Sequence, residues 1–423
     1  MHGHTLPKIL KHRIVNINGF SGCKSTKKTI IFLSQQTWDK AVAAEFMLST
    51  MAWNGLFRKV CVIKERGYCE MKRENRLQLI LFLIMLFLVI GFWIPEPICG
   101  SDYAIGADLS FLKQAEERGT VFKDEGNVKP GLQIFKDHGY NWIRLRLFHS
   151  PTRLPNDLDY TIALAKEAKK LNFKFLLNYH YSDTWADPGK QFIPKAWDSK
   201  SHAELVQAVF EYTRDTIIAF RDAGVLPDMV QPGNEIINGM LWPDGRLPDN
   251  WDNFAELLKA GINGVDAGRG NAQRPRIMVH IDRGGDKKRT KAFFDKWHSY
   301  GVDYDVIGQS YYPWWHGTLL DLRENLIFMA NTYQKDIILV EAAYNWRPAE
   351  YKDKPAPFPE TPEGQRQFLD EVNRLVLSTP GNRGKGIFWW EPAVYGGLRR
   401  RGMFDNDGNA LPAITVFDRF TRK

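Results

Sequence analysis

The sequence predicts an α/β fold, a (β/α)8 TIM barrel forming a single catalytic domain. Eight short apolar runs recur between residue 103 and the C-terminus, with helix-like stretches following them. No Pro/Gly/Ser linker, repeat or low-complexity run interrupts 103–423, a length that suits one barrel with insertions. Polar and aromatic side chains collect at the C-terminal ends of nearly all the runs, the rim on which such barrels carry their sites.

The runs are YAIGAD (103–108), WIRLRLF (142–148), FKFLLNY (173–179), MVQPGN (229–234), RIMVHI (276–281), DVIGQSYY (305–312), IILVEAAY (337–344) and GIFWW (386–390). Helix candidates between them include Leu158–Leu171, Ala203–Ala223 and Asn253–Val265. Alternating strands and helices imply a parallel sheet. Eight units of this size favour a closed barrel over an open doubly wound sheet. No G-x-G-x-x-G follows the first run, which disfavours a dinucleotide-binding fold.

The first 102 residues read differently. Residues 77–95 (LQLILFLIMLFLVIGFWIP) are nearly continuous apolar sequence without a charge, preceded by the positive segment MKRENR at 71–76. A positive segment, an apolar core and a short polar stretch (96–102) make 71–102 a signal peptide, or an uncleaved membrane anchor, since about 18 apolar residues just span a bilayer. The protein is therefore expected to be secreted or periplasmic, or membrane-anchored through 77–95. Met71 opens this segment directly, so residues 1–70 are expected to be a non-native or disordered extension.

The net charge of +8 belongs to this arm. Residues 1–76 hold 14 Lys and Arg against 5 Asp and Glu, leaving 43 basic and 44 acidic residues for the rest. The main domain thus has no electrostatic footprint for nucleic acid. The cysteines divide likewise: Cys23, Cys61, Cys69 and Cys99 all precede the domain, which excludes a disulfide framework or cysteine zinc site within it. No H-E-x-x-H or similar spacing suggests a metal, and no cofactor is expected.

The strand ends carry Asp108 after the first run, Arg144 and Arg146 in the second, and His180 and Asp183 after the third. Asn234 and Glu235 follow the fourth, His280 and Asp282 the fifth, Tyr311 and Tyr312 the sixth, Glu341 the seventh, and Trp390 with Glu391 the eighth. Glycoside hydrolysis needs one carboxyl group to protonate the leaving oxygen. In its retaining form, a carboxylate about 5–5.5 Å away attacks the anomeric carbon. Glu235 and Glu341 are 106 positions apart. They nonetheless fall at the ends of the fourth and seventh strands, which face each other across a barrel mouth. Each alone could be a helix N-terminal glutamate; together, with Asn directly before Glu235, they fit a catalytic pair. The acid must keep its proton through burial or a neighbouring carboxylate, while Arg144 or Arg146 could hold the nucleophile ionised. Trp185, Trp242 and Trp315 lie in loops after strands beside Asp, Pro and Gly, where stacking against sugar rings is expected.

These segments resemble glycoside hydrolase family 53, the arabinogalactan endo-β-1,4-galactanases, over roughly residues 104–420. The likeness is carried by GADLSFL (106–112), GYNWIRLRLF (139–148), YHYSDTWADPGKQ (179–191), MVQPGNEIINGMLWP (229–243), DVIGQSYYPWWHG (305–317) and ILVEAAYNW (338–346). The resemblance implies the barrel, retention of configuration, Glu235 as acid/base and Glu341 as nucleophile. It implies that His180, Asn234, Tyr312 and Trp390 bind the sugar at the cleavage point. The chain departs from the family where it has Asn178 instead of Asp, and Ala342 instead of Thr after Glu341. Some bacterial relatives hold structural calcium in a long loop after the seventh strand. Here 345–362 is long enough, but its ligands cannot be assigned from sequence. The expected partner is a polysaccharide, and the enzyme is expected to be a monomer. The alternatives are a related barrel hydrolase on another β-glycan and a non-catalytic carbohydrate-binding surface protein.

Overall fold

The computed structural model describes residues 103–348, 354, 356–394 and 400–420. The extension 1–70, the segment 71–102 and part of 345–362 lie outside the described residues. Among the described residues, no helix is long and apolar enough to cross a membrane.

Eight strands form the barrel: β1 (Ala104–Asp108), β2 (Trp142–Leu147), β3 (Lys174–Tyr179), β4 (Met229–Pro232), β5 (Arg276–Ile281), β6 (Val306–Tyr311), β7 (Asp336–Ala342) and β8 (Gly384–Trp389). Each pairs in parallel with its sequence neighbours, and β1 pairs with both β2 and β8, which closes the sheet. The eight runs read from sequence are these eight strands. After the short helix Leu112–Glu117, the longer α-helices are α1 (Gly131–Asp137), α2 (Leu158–Lys170), α3 (His202–Asp222), α4 (Trp251–Gly268), α5 (Lys287–His298), α6 (Leu319–Tyr333) and α7 (Pro362–Leu377). The 3-10 helix Pro412–Phe420 packs against α7 after β8. Side-chain caps mark several starts. Asp157 accepts from the Tyr160 backbone N–H, and Ser201 with Glu204 and Thr318 with Asp321 form capping boxes.

Period-two alternation sorts the side chains. Ile143, Leu145 and Leu147 point outward into the layer between barrel and helices, while Trp142 joins the barrel's inner plug. Ala104, Leu176, Met229, Met278, Val306, Ile338, Val340 and Phe388 complete that plug, so the barrel is a filled core rather than a pore. Above it the inward positions turn polar. Arg146 sits level with Asn178 and Asn178 with Gln231 across β2, β3 and β4, and Asp108 is level with Arg144 across β1 and β2.

One strand breaks the alternation. In β7, Ile337 and Leu339 face the helices and Ile338 and Val340 the plug, so strict alternation would aim Glu341 outward. The register between β6 and β7 shifts at this point, pairing Ser310 with Glu341, and the β7–β8 register shifts as well. A bulge re-aims a side chain in this way. It turns Glu341 into the barrel mouth.

Candidate active site

The rim at the C-terminal ends of the strands opens into a cleft of about 960 Å³. Glu235 and Glu341 both line it, as do Arg146, His180, Trp185, Asn234, Tyr312, Trp315 and Trp390. Asp108 and Arg144 lie beneath the cleft, with no solvent exposure. Asp183 and Trp242 are not brought to it. The Asp183 carboxylate accepts from the backbone N–H groups of Ser150 and Lys195 and so ties two loops together. The Trp242 indole donates to the Asn238 carbonyl, and Arg246 stacks over its ring.

The floor is a connected polar network. The Arg144 Nη1 donates to Oδ2 of Asp108 at 3.0 Å and to Oε1 of Glu341 at 2.8 Å. Its Nη2 donates to Oε1 of Gln231 at 3.2 Å and to Oδ1 of Asn234 at 2.8 Å. The Tyr312 hydroxyl donates to the other Glu341 oxygen at 2.8 Å. Both oxygens of Glu341 are thus fixed by donors from opposite sides. Asn178 is fully buried, donating to Oδ1 of Asn234 and accepting from Gln231. Ala342 is also buried, and its carbonyl accepts from the Trp390 backbone N–H.

Glu235 reaches the cleft from a turn that leaves β4 sharply. Gly233 has φ +88°, and a Cβ there would meet a methyl of Ile236 at 2.7 Å, so only glycine fits. Glu235 itself is left-handed, at φ 47° and ψ 52°. A non-glycine residue there stores on the order of 1 kcal/mol or more of strain. Its backbone N–H donates to Nδ1 of His280 at 3.3 Å. Burial holds His280 well below the usual histidine range, so the ring is neutral. An N–H can only donate, so the ring proton sits on Nε2, 2.9 Å from the Ser310 hydroxyl. That leaves the Ser310 hydrogen for the Glu235 carboxyl group, its other partner. Burial first, then the charge of Glu341, then Asp282, push the Glu235 carboxyl well above the usual range. Its environment favours the protonated form, while Glu341 is held among donors.

Other groups shape the walls. Burial and the charges of Arg146 and Arg144 keep His180 well below the usual range. Its Nδ1 accepts from the Ala186 backbone N–H at 2.9 Å, and its Nε2 lies 3.3 Å from the Asn178 amide nitrogen. Arg146 forms ion pairs with Asp108 at 3.0 Å and with Glu391, and its guanidinium lies 4.3 Å from the Trp185 ring centre. Burial pushes Glu391 up to about 8, against the pull of Arg146. The Trp185 and Trp390 rings lie 6.2 Å apart, and Trp390 meets Tyr312 edge-on at the same distance. Trp315 is 41% exposed. Asp282, pushed up to about 6 by burial, lines the wall beside Glu235 with Arg283, and burial takes His316 down to about 4.

Sequence reasoning did not single out Asp187, Lys190, Arg283, His316, Lys354 or Arg401, which all line the cleft. They come from loops, whose course no periodicity reveals. Gln231 did carry a signal, since it faces the same way as Met229 along β4. Among the described residues, no three His, Cys, Asp or Glu side chains are grouped to hold a metal ion.

A closed (β/α)8 barrel whose C-terminal rim carries an aromatic-walled cleft lined by acidic side chains defines the class: this is a barrel glycoside hydrolase. The chain belongs to glycosyl hydrolase family 53, whose family model matches residues 104–417. It is 40% identical over 309 residues to a Niallia circulans protein from the bgaB 5′ region, covering 69% of this chain and 84% of that one. It is 36% identical over 350 residues to the arabinogalactan endo-beta-1,4-galactanase of Cellvibrio japonicus, covering 75% and 91%. Among solved structures, fungal beta-1,4-galactanases match with a TM-score of 0.71 at 34% identity, over 75% of this chain and 99% of theirs.

Proposed function

We propose that this glycoside hydrolase cleaves β-1,4-linked galactan internally, with retention of configuration. The substrate class rests on the family and on what its relatives are named to cut. The chemistry rests on one observation: two carboxyl groups in one cleft have opposite environments. Glu235 is buried near another carboxylate and pushed toward its protonated form, while Glu341 is pinned by Arg144 and Tyr312.

In the first step, a Glu341 oxygen attacks the anomeric carbon and the glycosidic C–O bond breaks. Glu235 gives its proton to the departing oxygen, and the leaving chain diffuses away. Now ionised, Glu235 takes a proton from water, whose oxygen attacks the same carbon and releases Glu341. Two inversions at one carbon return the original β configuration, and both carboxyl groups end as they began. Trp390 and Trp185 offer ring faces to the sugar.

The test is a product analysis on unbranched β-1,4-galactan, with NMR assigning the first anomer released. Oligosaccharides born in the β form are expected. An α product would overturn retention, and an inert wild-type enzyme would overturn the substrate. Glu341→Gln should lose turnover by roughly 10⁴-fold or more while still binding oligosaccharide. We also read 71–102 as the segment that exports the enzyme. N-terminal sequencing of the native protein should find it cleaved or retained as an anchor, and a native product that stays in the cytosol would refute export.

A further inference from the structure

One carboxylate in the cleft wall takes no part in the two-step chemistry. Asp282 follows β5, the strand that pairs with β4 below Glu235. Two positions earlier, His280 accepts the Glu235 backbone N–H on its Nδ1. Asp282 lines the cleft together with Glu235 and Arg283, and its side chain keeps a 4% exposed edge there. Its Oδ2 lies 3.3 Å from Nε of Arg283. Among the described residues, no group donates a hydrogen bond to its buried Oδ1. A carboxylate has about four acceptor positions, so most of this one's capacity is unfilled. An acceptor taken from water without a donor is destabilising, and a ligand that brings the donor relieves it. The carboxyl torsion is broad and two-fold, so a turn about Cβ–Cγ exchanges the two oxygens at the cleft edge.

The turn that carries Asp282 is held from several directions. Arg283 is left-handed, at φ 64°. The Gly284 N–H donates to the Ser310 carbonyl and the Asp286 N–H to the Arg283 carbonyl, each at 2.8 Å. The Asn325 amide donates to the Gly284 carbonyl at 2.7 Å. A Cβ on Gly285 would meet the His316 carbonyl oxygen at 2.1 Å, so the loop after β6 packs directly on this turn. Arg289 donates to Oδ1 of Asn238 at 2.9 Å and so ties the start of α5 to the segment after Glu235. A side chain on so fixed a backbone loses little further freedom when it meets a ligand. Burial pushes Asp282 up to about 6, against the pull of Arg283 and Arg289. Near neutral pH it is therefore ionised and only accepts.

We propose that Asp282 is a substrate-contacting, specificity-determining residue whose carboxylate accepts a hydrogen bond from the C3 hydroxyl of the departing galactosyl unit. The place follows from the chemistry. Glu235 gives its proton to the leaving oxygen, so the unit that carries this oxygen lies along the wall that Glu235 shares with Asp282. In a β-1,4-galactan that oxygen is on C4. The hydroxyl on the adjoining carbon is the one at C3, and the C6 hydroxyl is one carbon farther away. A group beside Glu235 therefore meets the C3 hydroxyl first. A site built around an acceptor rejects an analogue that lacks the donor, because the buried carboxylate is then left unpaired.

This inference rests on the galactanase reading, and its experiment separates the two. Three β-1,4-galactotetraosides are compared, with galactose, 3-deoxygalactose or 6-deoxygalactose as the reducing-end unit. Release of that unit is measured near neutral pH for wild type, Asp282→Ala and Asp282→Asn, with folding followed by thermal unfolding. A hydrogen bond to a charged group corresponds to about 10- to 150-fold. Wild type should therefore favour the parent over the 3-deoxy substrate by a kcat/KM ratio of that size, and over the 6-deoxy substrate by less than threefold. Asp282→Ala should lose about as much on the parent and discriminate less than threefold against the 3-deoxy substrate. Removing the Asp282 charge also lowers the Glu235 titration, but that acts on all three substrates and cancels in the ratio. Asp282→Asn keeps a neutral acceptor and should retain about half of the discrimination on a logarithmic scale. Should Asp282→Ala fail to fold, Asp282→Asn carries the test, and undiminished discrimination in it would overturn the proposal. So would an Asp282→Ala enzyme that still rejects the 3-deoxy substrate as wild type does, or a wild type that rejects only the 6-deoxy one or neither. A wild-type enzyme inert on the parent and on galactan would instead refute the galactanase reading, and the galactosyl assignment with it.

Discussion

Arg144 and Glu341 lie 197 positions apart in the chain and meet at 2.8 Å beneath the cleft. Neither could be there alone. Arg144 is wholly buried and shares its two terminal nitrogens among Asp108, Glu341, Gln231 and Asn234. Glu341 faces inward only because the register slips beside Ser310. One guanidinium therefore fixes the position of Glu341, the proposed nucleophile, and of Asn234, which precedes the proposed acid Glu235.

Replacing Arg144 by Met should therefore damage folding and catalysis together. It leaves Asp108 and Glu341 as buried carboxylates without their shared cation. Removing one partner of a buried pair costs about 3–5 kcal/mol. Denaturant unfolding should show a loss of that size, and kcat should fall by at least 100-fold in whatever fraction remains folded. A fully active, equally stable Arg144→Met enzyme would mean that Glu341 is held by something else.

Tyr312→Phe makes a finer cut. It removes the hydroxyl that donates to Glu341 at 2.8 Å and keeps the ring that meets Trp390 and Trp315. One lost hydrogen bond to a charged group is worth about 1.5–3 kcal/mol. Activity on galactan should fall roughly 10- to 150-fold, with KM nearly constant, because the ring surface survives. Steady-state kinetics decide this, and a change confined to KM would place Tyr312 in binding alone.

The barrel was legible in the sequence because its signal is repeated eight times. Each strand is a short apolar run, and each ends in a polar or aromatic side chain that a structural barrel would not need. Arg144 and Arg146 were legible as a pair on one face, since alternation alone puts them there. The orientation of Glu341 was not, because alternation along β7 gives the opposite answer and only the pairing with β6 reverses it. Asp183 looked like a site residue from its place after β3, yet it serves the backbone of Ser150 and Lys195. A carboxylate beside a strand end has the same sequence signature in both roles. Arg401 carried no signal, since a basic residue in a run of arginines reads as solvent-facing until the rings around it are placed.

Trp315 tests the aromatic wall without touching the core. It is 41% exposed, while its neighbour Trp314 is buried and stacked on Tyr344 at 5.5 Å. Trp315→Ala should leave the unfolding midpoint within a few degrees of wild type and raise KM for long galactan about tenfold, through lost stacking area. Trp314→Ala should instead cost about 3–5 kcal/mol of stability, as deletion of a large buried ring does. Thermal unfolding of the two variants in parallel is the measurement, and equal destabilisation would remove Trp315 from the sugar-facing wall.

Glu235 links activity and stability to pH with opposite consequences. Its carboxyl in the folded enzyme titrates well above an unfolded glutamate, chiefly through burial and then through Glu341. The folded state therefore holds a proton that the unfolded state has released, throughout the range between the two values. Stability contributed by this group is fully present below the unfolded value, near 4.3, and is lost as pH rises through that range. The proposed acid thus keeps its proton to higher pH than an unfolded glutamate, and the fold loses stability for it. Glu235→Gln removes the titration, so its stability relative to wild type should be flat below about pH 4 and increase as pH rises toward the folded value. The same substitution should abolish the descending limb of the kcat/KM profile, together with most of the activity. In Glu341→Gln, with the neighbouring charge gone, Glu235 should titrate lower than in wild type, which carbon NMR of labelled glutamate would detect. A Glu235→Gln protein whose relative stability does not change with pH would show that the Glu235 titration is not raised in the fold, and an unmoved titration in Glu341→Gln would show that the two carboxyl groups are not coupled.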